Sequence, residues 1–341
     1  MKNTTTTNVV AKPRKEWKEY GISCSDLWVN GQETKQQVIM RNGKFVTFAS
    51  DLYRVLPNED VLKIGDKVAK KAKASLYSPT RLNGRGSRNW YSDNTEYGKH
   101  VFTNNEGTQI VANYMFPDKL DVTGGKDFVQ FGFMLRNGYD KKTAFSVSPM
   151  TVRMACDNIM YHVASTKLVQ GLEERTGPYQ GLTELERTEV LKRQDQKIKD
   201  ARKSFNELGV RKLHFKTLTL DFVEETVENI RKGADGVLKR YQQMVDMKMS
   251  QRQAELIAKN MPKAVMKDIP YIHVNKNKLT GEVTYKLGER KNPESGKLED
   301  ATQWNTFNDI TNSLTFAQKR SFNQNMGAYH VLDRVLVNTI R

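Results

Sequence analysis

The sequence predicts an α+β protein, with an antiparallel β-meander packed against helices and a helical middle and C-terminal region. Segments rich in β-branched and aromatic residues are grouped between residues 109 and 147, separated by loops that contain glycine and asparagine. Charged segments with apolar residues at helical spacing follow from residue 183 onward. Because the strands are grouped before the helices, the order favours α+β over a parallel sheet with alternating helices.

The amino-terminal residues 1–16 are predicted to form a flexible basic arm. Thr4 to Thr7 are polar, and Lys12, Arg14 and Lys15 are basic. A segment of this composition buries little apolar surface, so we expect ordered structure to begin only after it.

Two elements are expected before residue 76. A hairpin is predicted around Arg41-Asn42-Gly43-Lys44, because Asn-Gly supplies the two positive φ angles of a type I′ turn. Helical spacing of apolar residues predicts a helix within residues 51–75, which ends in a basic run. Both elements belong to a predicted α+β core domain over residues 17–215.

Three consecutive strands are predicted in this domain, over residues 109–116, 128–135 and 142–147. A helix is predicted directly after them, since Ser148 suits an N-cap and Pro149 suits the first turn of a helix. The core domain is therefore expected to contain a unit of three strands followed by a helix.

Residues 216–341 are predicted to form a helical region with an extra β-hairpin. Helices are expected to begin near Asp221 and at Ser250, and Gly233 and Gly236 are expected to weaken or break the first of them. An earlier charged helix is predicted by a capping box that begins at Thr183. The extra hairpin is predicted over residues 271–287, and Trp304 and Phe307 are predicted to be helix core.

The charge of the chain narrows the class of partner. Its 341 residues include 55 Lys and Arg against 39 Asp and Glu, a formal net charge of +16, which favours a polyanion such as nucleic acid. Two cysteines, Cys24 and Cys156, exclude a disulfide framework and a cysteine zinc site, as expected in a reducing cytoplasm. No uncharged apolar stretch approaches the roughly 20 residues of a membrane span, so we expect no membrane partner.

The most informative segment is residues 67–92, which contains seven basic residues and no acidic one. Basic side chains interleaved with aromatic ones are typical of single-strand binding, in which cations follow the phosphates and rings stack on bases. The candidate residues are Lys70, Lys71, Lys73, Arg81, Arg85 and Arg88 for phosphate, and Tyr77, Trp90 and Tyr91 for stacking. The alternative interpretation is a solvated basic helix followed by a surface loop.

A second basic group is expected around a hairpin tip and the start of the predicted helix at Ser148. Its members are Arg136, Lys141, Lys142 and Arg153. Free amides at a helix N-terminus also favour phosphate, although ordinary surface charge explains this group equally well. For a third group, at residues 211–216, surface charge is the preferred interpretation.

Signatures of catalysis are missing from the sequence. No Gly-x-x-x-x-Gly-Lys-Ser/Thr motif occurs, so any activity on DNA is expected to be ATP-independent, without a cofactor. The five histidines show no metal-ligand spacing. Two acidic groups, at residues 118–127 and 224–228, leave a metal-dependent nuclease as a minor alternative; we expect no metal.

Three segments resemble a known family. Phe133–Asp140, Met150–Asn158 and Thr302–Thr311 are similar to motifs of the phage/plasmid-related family of proteins of unknown function. That resemblance implies an origin in a phage or mobile element. The predicted unit of three strands and a helix also resembles, more loosely, phage single-strand annealing proteins of the RecT, Erf and Sak kind. The looser likeness implies an ATP-independent, ring- or filament-forming homo-oligomer.

The sequence therefore predicts a phage-type single-stranded DNA-binding protein of the bacterial host cytoplasm. Strand annealing in recombination or replication is the expected activity, with several subunits arrayed along the strand and no covalent step. The alternative is a phage structural or assembly component, or a protein that binds a host factor, without nucleic-acid chemistry.

Overall fold

The computed structural model describes residues 9–53, 55–77, 97, 101–104, 106–141, 143, 145–156, 158–162, 220–293, 295–316 and 322–337. Within these residues the fold is α+β, as predicted from the sequence. Two larger antiparallel sheets lie in the first half of the chain, and helices dominate the second half. The predicted charged helix that begins at Thr183 lies outside the described residues, and so does the third basic group.

The first sheet has four strands in chain order, β1 (Val9–Trp17), β2 (Ile22–Val29), β3 (Gln32–Arg41) and β4 (Lys44–Ser50). Asn42 and Gly43, between β3 and β4, have φ angles of 48° and 75°, so the predicted Asn-Gly hairpin is confirmed. A small core lies under one face of this sheet and includes Ile22, Ile39 and Tyr139.

The prediction of a flexible arm is wrong for residues 9–16, which form most of β1; residues 1–8 lie outside the described part. β1 pairs with β2 from Val9 opposite Val29 to Trp17 opposite Ile22. Its basic side chains have specific partners, since Lys12 Nζ lies 3.3 Å from the ring centroid of Trp28. The sequence pattern missed this strand because its stabilising partners lie on the neighbouring strand rather than within the segment.

The second sheet has six strands. They are β5 (Ser75–Leu76), β6 (Val101–Thr103), β7 (Gln109–Asp121), β8 (Phe128–Gly138), β9 (Ser146–Arg153) and β10 (Asn158–Tyr161). The spatial order is β10-β9-β8-β7-β5, with β6 also paired to β7. Helix α1 (Asn58–Lys71) connects the first sheet to β5 and packs against β7 and β8.

The helix predicted after three strands is wrong, because Ser148 and Pro149 lie inside β9 and β10 follows. In β9, Ser148 pairs with Met134 and Pro149 with Phe133. Buried side chains on both faces of the sheet remove the alternation of polar and apolar residues that identifies a strand. The apolar spacing from Val152 onward therefore fitted a helix as well as it fits this buried strand pair.

The C-terminal half contains the helices α2 (Leu220–Asp246), α3 (Gln251–Asn260), α4 (Lys263–Lys267), α5 (Gln303–Phe316) and α6 (Phe322–Leu332), which a π-helical turn extends over Asp333–Val337. Two short hairpins, β11 (Ile272–Lys276) with β12 (Val283–Leu287) and β13 (Arg290–Lys291) with β14 (Leu298–Glu299), separate α4 from α5. The predicted hairpin over 271–287 is confirmed.

The helix starts of this half follow the sequence closely. Ser250 caps α3 through a reciprocal box with Gln253, as its position predicts. Helix α2 continues through Gly233 and Gly236, so the expected break is absent. Both glycines face open space, where a missing side chain removes no packing.

One hydrophobic cluster joins the second sheet to the C-terminal helices. The ring of Tyr241 in α2 lies 6.4 Å from that of Phe131 in β8 and 5.0 Å from that of Trp304 in α5. Tyr241 also belongs to a buried polar chain, because its Oη lies 2.8 Å from Thr151 Oγ1 and 2.9 Å from His162 Nε2, and His162 Nδ1 lies 2.8 Å from Asp333 Oδ1. The predicted domain boundary between 215 and 216 stays a prediction, since residues 163–219 lie outside the described part.

Candidate nucleic-acid interface

Helix α1 separates an apolar side from a basic side. Val61, Gly65 and Val68 are buried against the second sheet. A Cβ atom built at Gly65 would lie 2.5 Å from Leu135 Cδ1 and 2.7 Å from Tyr114 Oη, so a side chain here would force these buried groups to shift. The close approach of α1 to β8 fixes the rotation of the helix, so the opposite side faces solvent from Lys63 to Lys70.

The solvent side of α1 carries a row of lysines at helical spacing. Lys63, Lys67 and Lys70 recur three and four residues apart, all exposed, and exposed Lys73 follows the helix end. Lys70 and Lys71 lie in the last turn, where cations complement the helix dipole. We call Lys67, Lys70 and Lys73 the lysine row.

Lys73 terminates the helix with an unusual backbone conformation. Its φ angle is 54°, in the left-handed region that favours glycine, and Ala74 N donates to the carbonyl oxygen of Ala69 at 2.8 Å. A side chain at this position costs about 1 kcal/mol relative to glycine. A lysine therefore occupies a position whose backbone conformation favours glycine.

The lysine row differs from its neighbours in electrostatic pairing. Lys71 forms an ion pair with Glu224 of α2, and this hydrogen bond raises the pKa of Lys71. Lys63 donates to Tyr20 Oη at 2.6 Å and lies 3.8 Å from Asp60 Oδ1. Among the described residues, no carboxylate forms an ion pair with Lys67, Lys70 or Lys73.

The chain beyond the lysine row is held on the second sheet. β5 pairs Ser75 with Met115 and Leu76 with Tyr114, and Tyr77 N donates to the carbonyl oxygen of Asn113 at 2.7 Å. The Tyr77 ring is half-buried and packs against the main core, so only part of it faces solvent. The other predicted residues of this segment lie outside the described residues; they are Arg81, Arg85, Arg88, Trp90 and Tyr91.

The structure does not bring the second basic group together. β9 runs from Ser146, opposite Arg136, to Arg153, opposite Val129, which separates the two arginine positions by about 24 Å at about 3.4 Å per residue. The expected grouping is wrong for Arg153, because that residue ends a strand instead of starting a helix. Lys142 lies outside the described residues.

The two arginines have different environments. Arg136 is half-buried, and burial lowers the pKa of its guanidinium to about 10, against the opposing effect of the Asp140 charge. Arg153 Nε donates to both oxygens of Asp127, at 2.8 and 2.7 Å. Lys141 is exposed, and its Nζ donates to the carbonyl oxygen of Phe48 at 2.9 Å.

Comparisons were made with protein-family models, curated proteins and solved structures. No match was found. The resemblance to the phage/plasmid-related family and the looser likeness to annealing proteins therefore stay predictions. The looser likeness rested on a predicted unit of three strands followed by a helix. In the structure the strand β10 stands where that helix was predicted.

The acidic groups considered for a nuclease have other partners. Glu224 pairs with Lys71, Asp127 with Arg153, and Asp118 Oδ2 lies 3.7 Å from Arg231 Nη2. Within the described ranges, no group of three or more His, Cys, Asp or Glu side chains is arranged to hold a metal ion. No helix of the described part combines the length and apolar composition needed to cross a membrane.

Sequence reasoning found Lys70 and Lys73 but undervalued Lys67. Lys67 belongs to the same basic segment, and only helical spacing distinguishes it from a residue on another side of α1. Lys71 and Arg153 were predicted binders whose charges are already paired. Their partners, Glu224 and Asp127, are remote in sequence, so no local pattern indicates the pairing.

Proposed function

We propose that the protein binds single-stranded DNA through the lysine row at the end of α1 and the residues that follow it. The observation that carries the proposal is an exposed row of three cations without a carboxylate partner among the described residues. Exposed cations that form no ion pair attract the phosphates of a nucleic acid.

The geometry of the row favours a strand that is held by its backbone. Lys67 and Lys70 lie three positions apart on α1, where side chains are about 5–6 Å apart, which is close to the spacing of successive phosphates in an extended strand. Lysine is a point charge without a preferred base edge, so contacts of this kind give little sequence preference. Arg81, Arg85 and Arg88, with Trp90 and Tyr91, follow in the same segment and are proposed to continue the contact.

ATP-independent annealing, the homo-oligomeric state and the host cytoplasm remain part of this proposal. An annealing protein must hold phosphates and leave base edges free, which a lysine row allows. A phage structural or assembly role, without nucleic acid, is the alternative; it predicts oligomers or a protein partner, and no bound polynucleotide.

The test is fluorescence anisotropy with single-stranded and duplex oligonucleotides over a salt series, together with light scattering for mass. We expect tighter binding to single strands and a linear fall of log K with log salt. The three lysines alone give a slope near −2, at about −0.7 per phosphate, and contacts from residues 78–96 make it steeper. No binding, or an affinity independent of salt, would contradict the proposal.

A further inference from the structure

Lysines lie over aromatic rings along the β1 edge of the first sheet. Lys12 Nζ lies 3.3 Å from the ring centroid of Trp28 in β2, and Lys15 Nζ lies 4.4 Å from that of Trp17. These residues are on the side of the small core, because Lys15 pairs with Cys24, a member of that core, and Trp28 lies four residues farther along β2. We call Lys12, Lys15, Trp17 and Trp28 the β1 ladder.

The lysines of the β1 ladder are exposed, and its two rings are half-buried. Trp17 packs against the margin of the small core, whereas Trp28 belongs to neither hydrophobic cluster of the described residues. In the part of the chain that the structure describes, Lys12 forms no ion pair with a carboxylate, and Asp26, the acid opposite it, binds Arg14 at 3.2 Å. The Trp28 ring and the Lys12 charge are therefore both available to a ligand.

A corner of the chain joins the β1 ladder to α1. Tyr20 follows Trp17 after one 3₁₀ turn, and both side chains pack against the small core. Tyr20 Oη accepts from Lys63 Nζ at 2.6 Å, and Lys63 Nζ lies 5.2 Å from the Tyr20 ring centroid. Lys63 is one helical turn before Lys67, where side chains are about 5–6 Å apart. The lysine row is therefore continued at its Lys67 end by Lys63, Tyr20 and the β1 ladder.

The charge along this path favours a polyanion. Five cations lie on it against three carboxylates, which leaves a net positive charge. The cations are Lys12, Arg14, Lys15, Lys18 and Lys63, and the carboxylates are Glu19, Asp26 and Asp60. Glu16 pairs with Ser23 on the opposite side of the sheet. Cations interleaved with rings are the combination that binds single strands, since rings stack on bases and cations hold phosphates.

We propose that the β1 ladder extends the binding site of the lysine row along the same strand, with Lys12 and Lys15 as phosphate contacts and Trp28 as a stacking partner for a base. This inference rests on the proposed function and adds a second contact area to it. The class of ligand is the unpaired nucleobase of a single strand, which offers a flat face to the ring whatever the sequence.

Binding exchanges one contact of the Trp28 ring for another. In the free protein the ammonium group of Lys12 covers the ring. In the complex this ammonium group contacts a phosphate, and a base takes its place on the ring. A stacked base contributes more to stability than a lysine over an exposed ring, so the exchange favours the bound strand.

The test compares the protein with its Trp28→Leu variant, by fluorescence anisotropy with oligo(dT) and with an abasic strand of equal length. Loss of the stacking ring is expected to weaken oligo(dT) binding at least about fivefold, and Trp28→Phe, which keeps a ring, should recover most of the affinity. The slope of log K against log salt should stay unchanged, because a ring releases no counterions. The abasic strand should bind the parent and Trp28→Leu equally.

A second variant, Lys12→Gln/Lys15→Gln, should instead reduce the magnitude of the salt slope by about 1.4, from two phosphates at about 0.7 each. The matched control is Lys259→Gln/Tyr285→Leu, because Lys259 Nζ also lies over a ring, 5.4 Å from the Tyr285 centroid, but in the C-terminal half of the chain. We expect this control to bind like the parent. Circular dichroism checks that the variants fold.

The outcomes separate the β1 ladder from the proposed function. If the parent binds oligo(dT) and both ladder variants keep its affinity and salt slope, the ladder is wrong and the lysine row stands. If the control loses as much affinity as Trp28→Leu, or if Trp28→Leu weakens the abasic strand equally, no base stacks on Trp28 and the ladder is overturned. If the parent binds neither strand, the proposed function fails and the ladder fails with it.

Discussion

Replacing Lys67, Lys70 and Lys73 together by alanine is expected to weaken binding to single-stranded DNA about a hundredfold more at 0.1 M salt than at 1 M salt. Three lost phosphate contacts reduce the magnitude of the salt slope by about 2, at about 0.7 per contact. The loss should be the same for all base sequences, since the lysines contact phosphates. Stability should change little because all three side chains are exposed.

A matched variant tests whether position or total charge decides this result. Lys276, Lys278 and Lys297 are exposed and lie on the hairpins between α4 and α5, and their replacement by alanine removes the same charge. We expect this control to retain most of the affinity and nearly the full salt slope. Equal losses in the two triple variants would show that net charge, rather than the row, attracts the strand.

The second large effect concerns stability at Asp127. Its carboxylate accepts from Arg153 Nε, and from Trp304 Nε1 at 3.0 Å. Burial lowers the pKa of Arg153, but the hydrogen bonds and the charge of Asp127 outweigh this effect and leave that pKa raised. Asp127→Ala removes the carboxylate that neutralises the half-buried guanidinium of Arg153 and accepts from the buried indole N–H of Trp304. We expect the free energy of unfolding to fall by about 3 kcal/mol.

Urea denaturation at neutral pH measures this change, and a double-mutant cycle assigns it. In the Asp127→Ala/Arg153→Met variant the unpaired charge is gone, so part of the lost stability should return. A change below about 0.5 kcal/mol in Asp127→Ala would mean that water replaces the carboxylate at no cost, as at an ordinary surface position.

Local chemistry predicted those parts of the fold that depend on few neighbouring residues. Asn42-Gly43 determines its turn through backbone φ angles, and Ser250 caps α3 through a contact three residues away. The strand β1 and the pair β9–β10 were missed because their stabilising partners are distant strands. Ser148 and Pro149 carry a helix-start signal that tertiary burial in the second sheet overrides.

In the candidate site, too, the features set by neighbouring residues could be predicted and those set by distant residues could not. Basic residues of α1 could be found from composition, and helical spacing assigned them to one side. Which of them keep a free charge depends on Glu224 in α2, far along the chain, so Lys71 could not be distinguished from Lys70. The contact of Lys12 with Trp28 was equally hidden, because it depends on the pairing of β1 with β2.

The most direct test of the central claim is lysine acetylation with and without saturating oligo(dT), followed by peptide mass spectrometry. Bound phosphates should slow acetylation of Lys67, Lys70 and Lys73 several-fold, while the exposed lysines Lys276, Lys278 and Lys297 react at unchanged rates. Protection that is absent from the lysine row, under conditions in which anisotropy shows full binding, would contradict the claim that this side of α1 holds the strand.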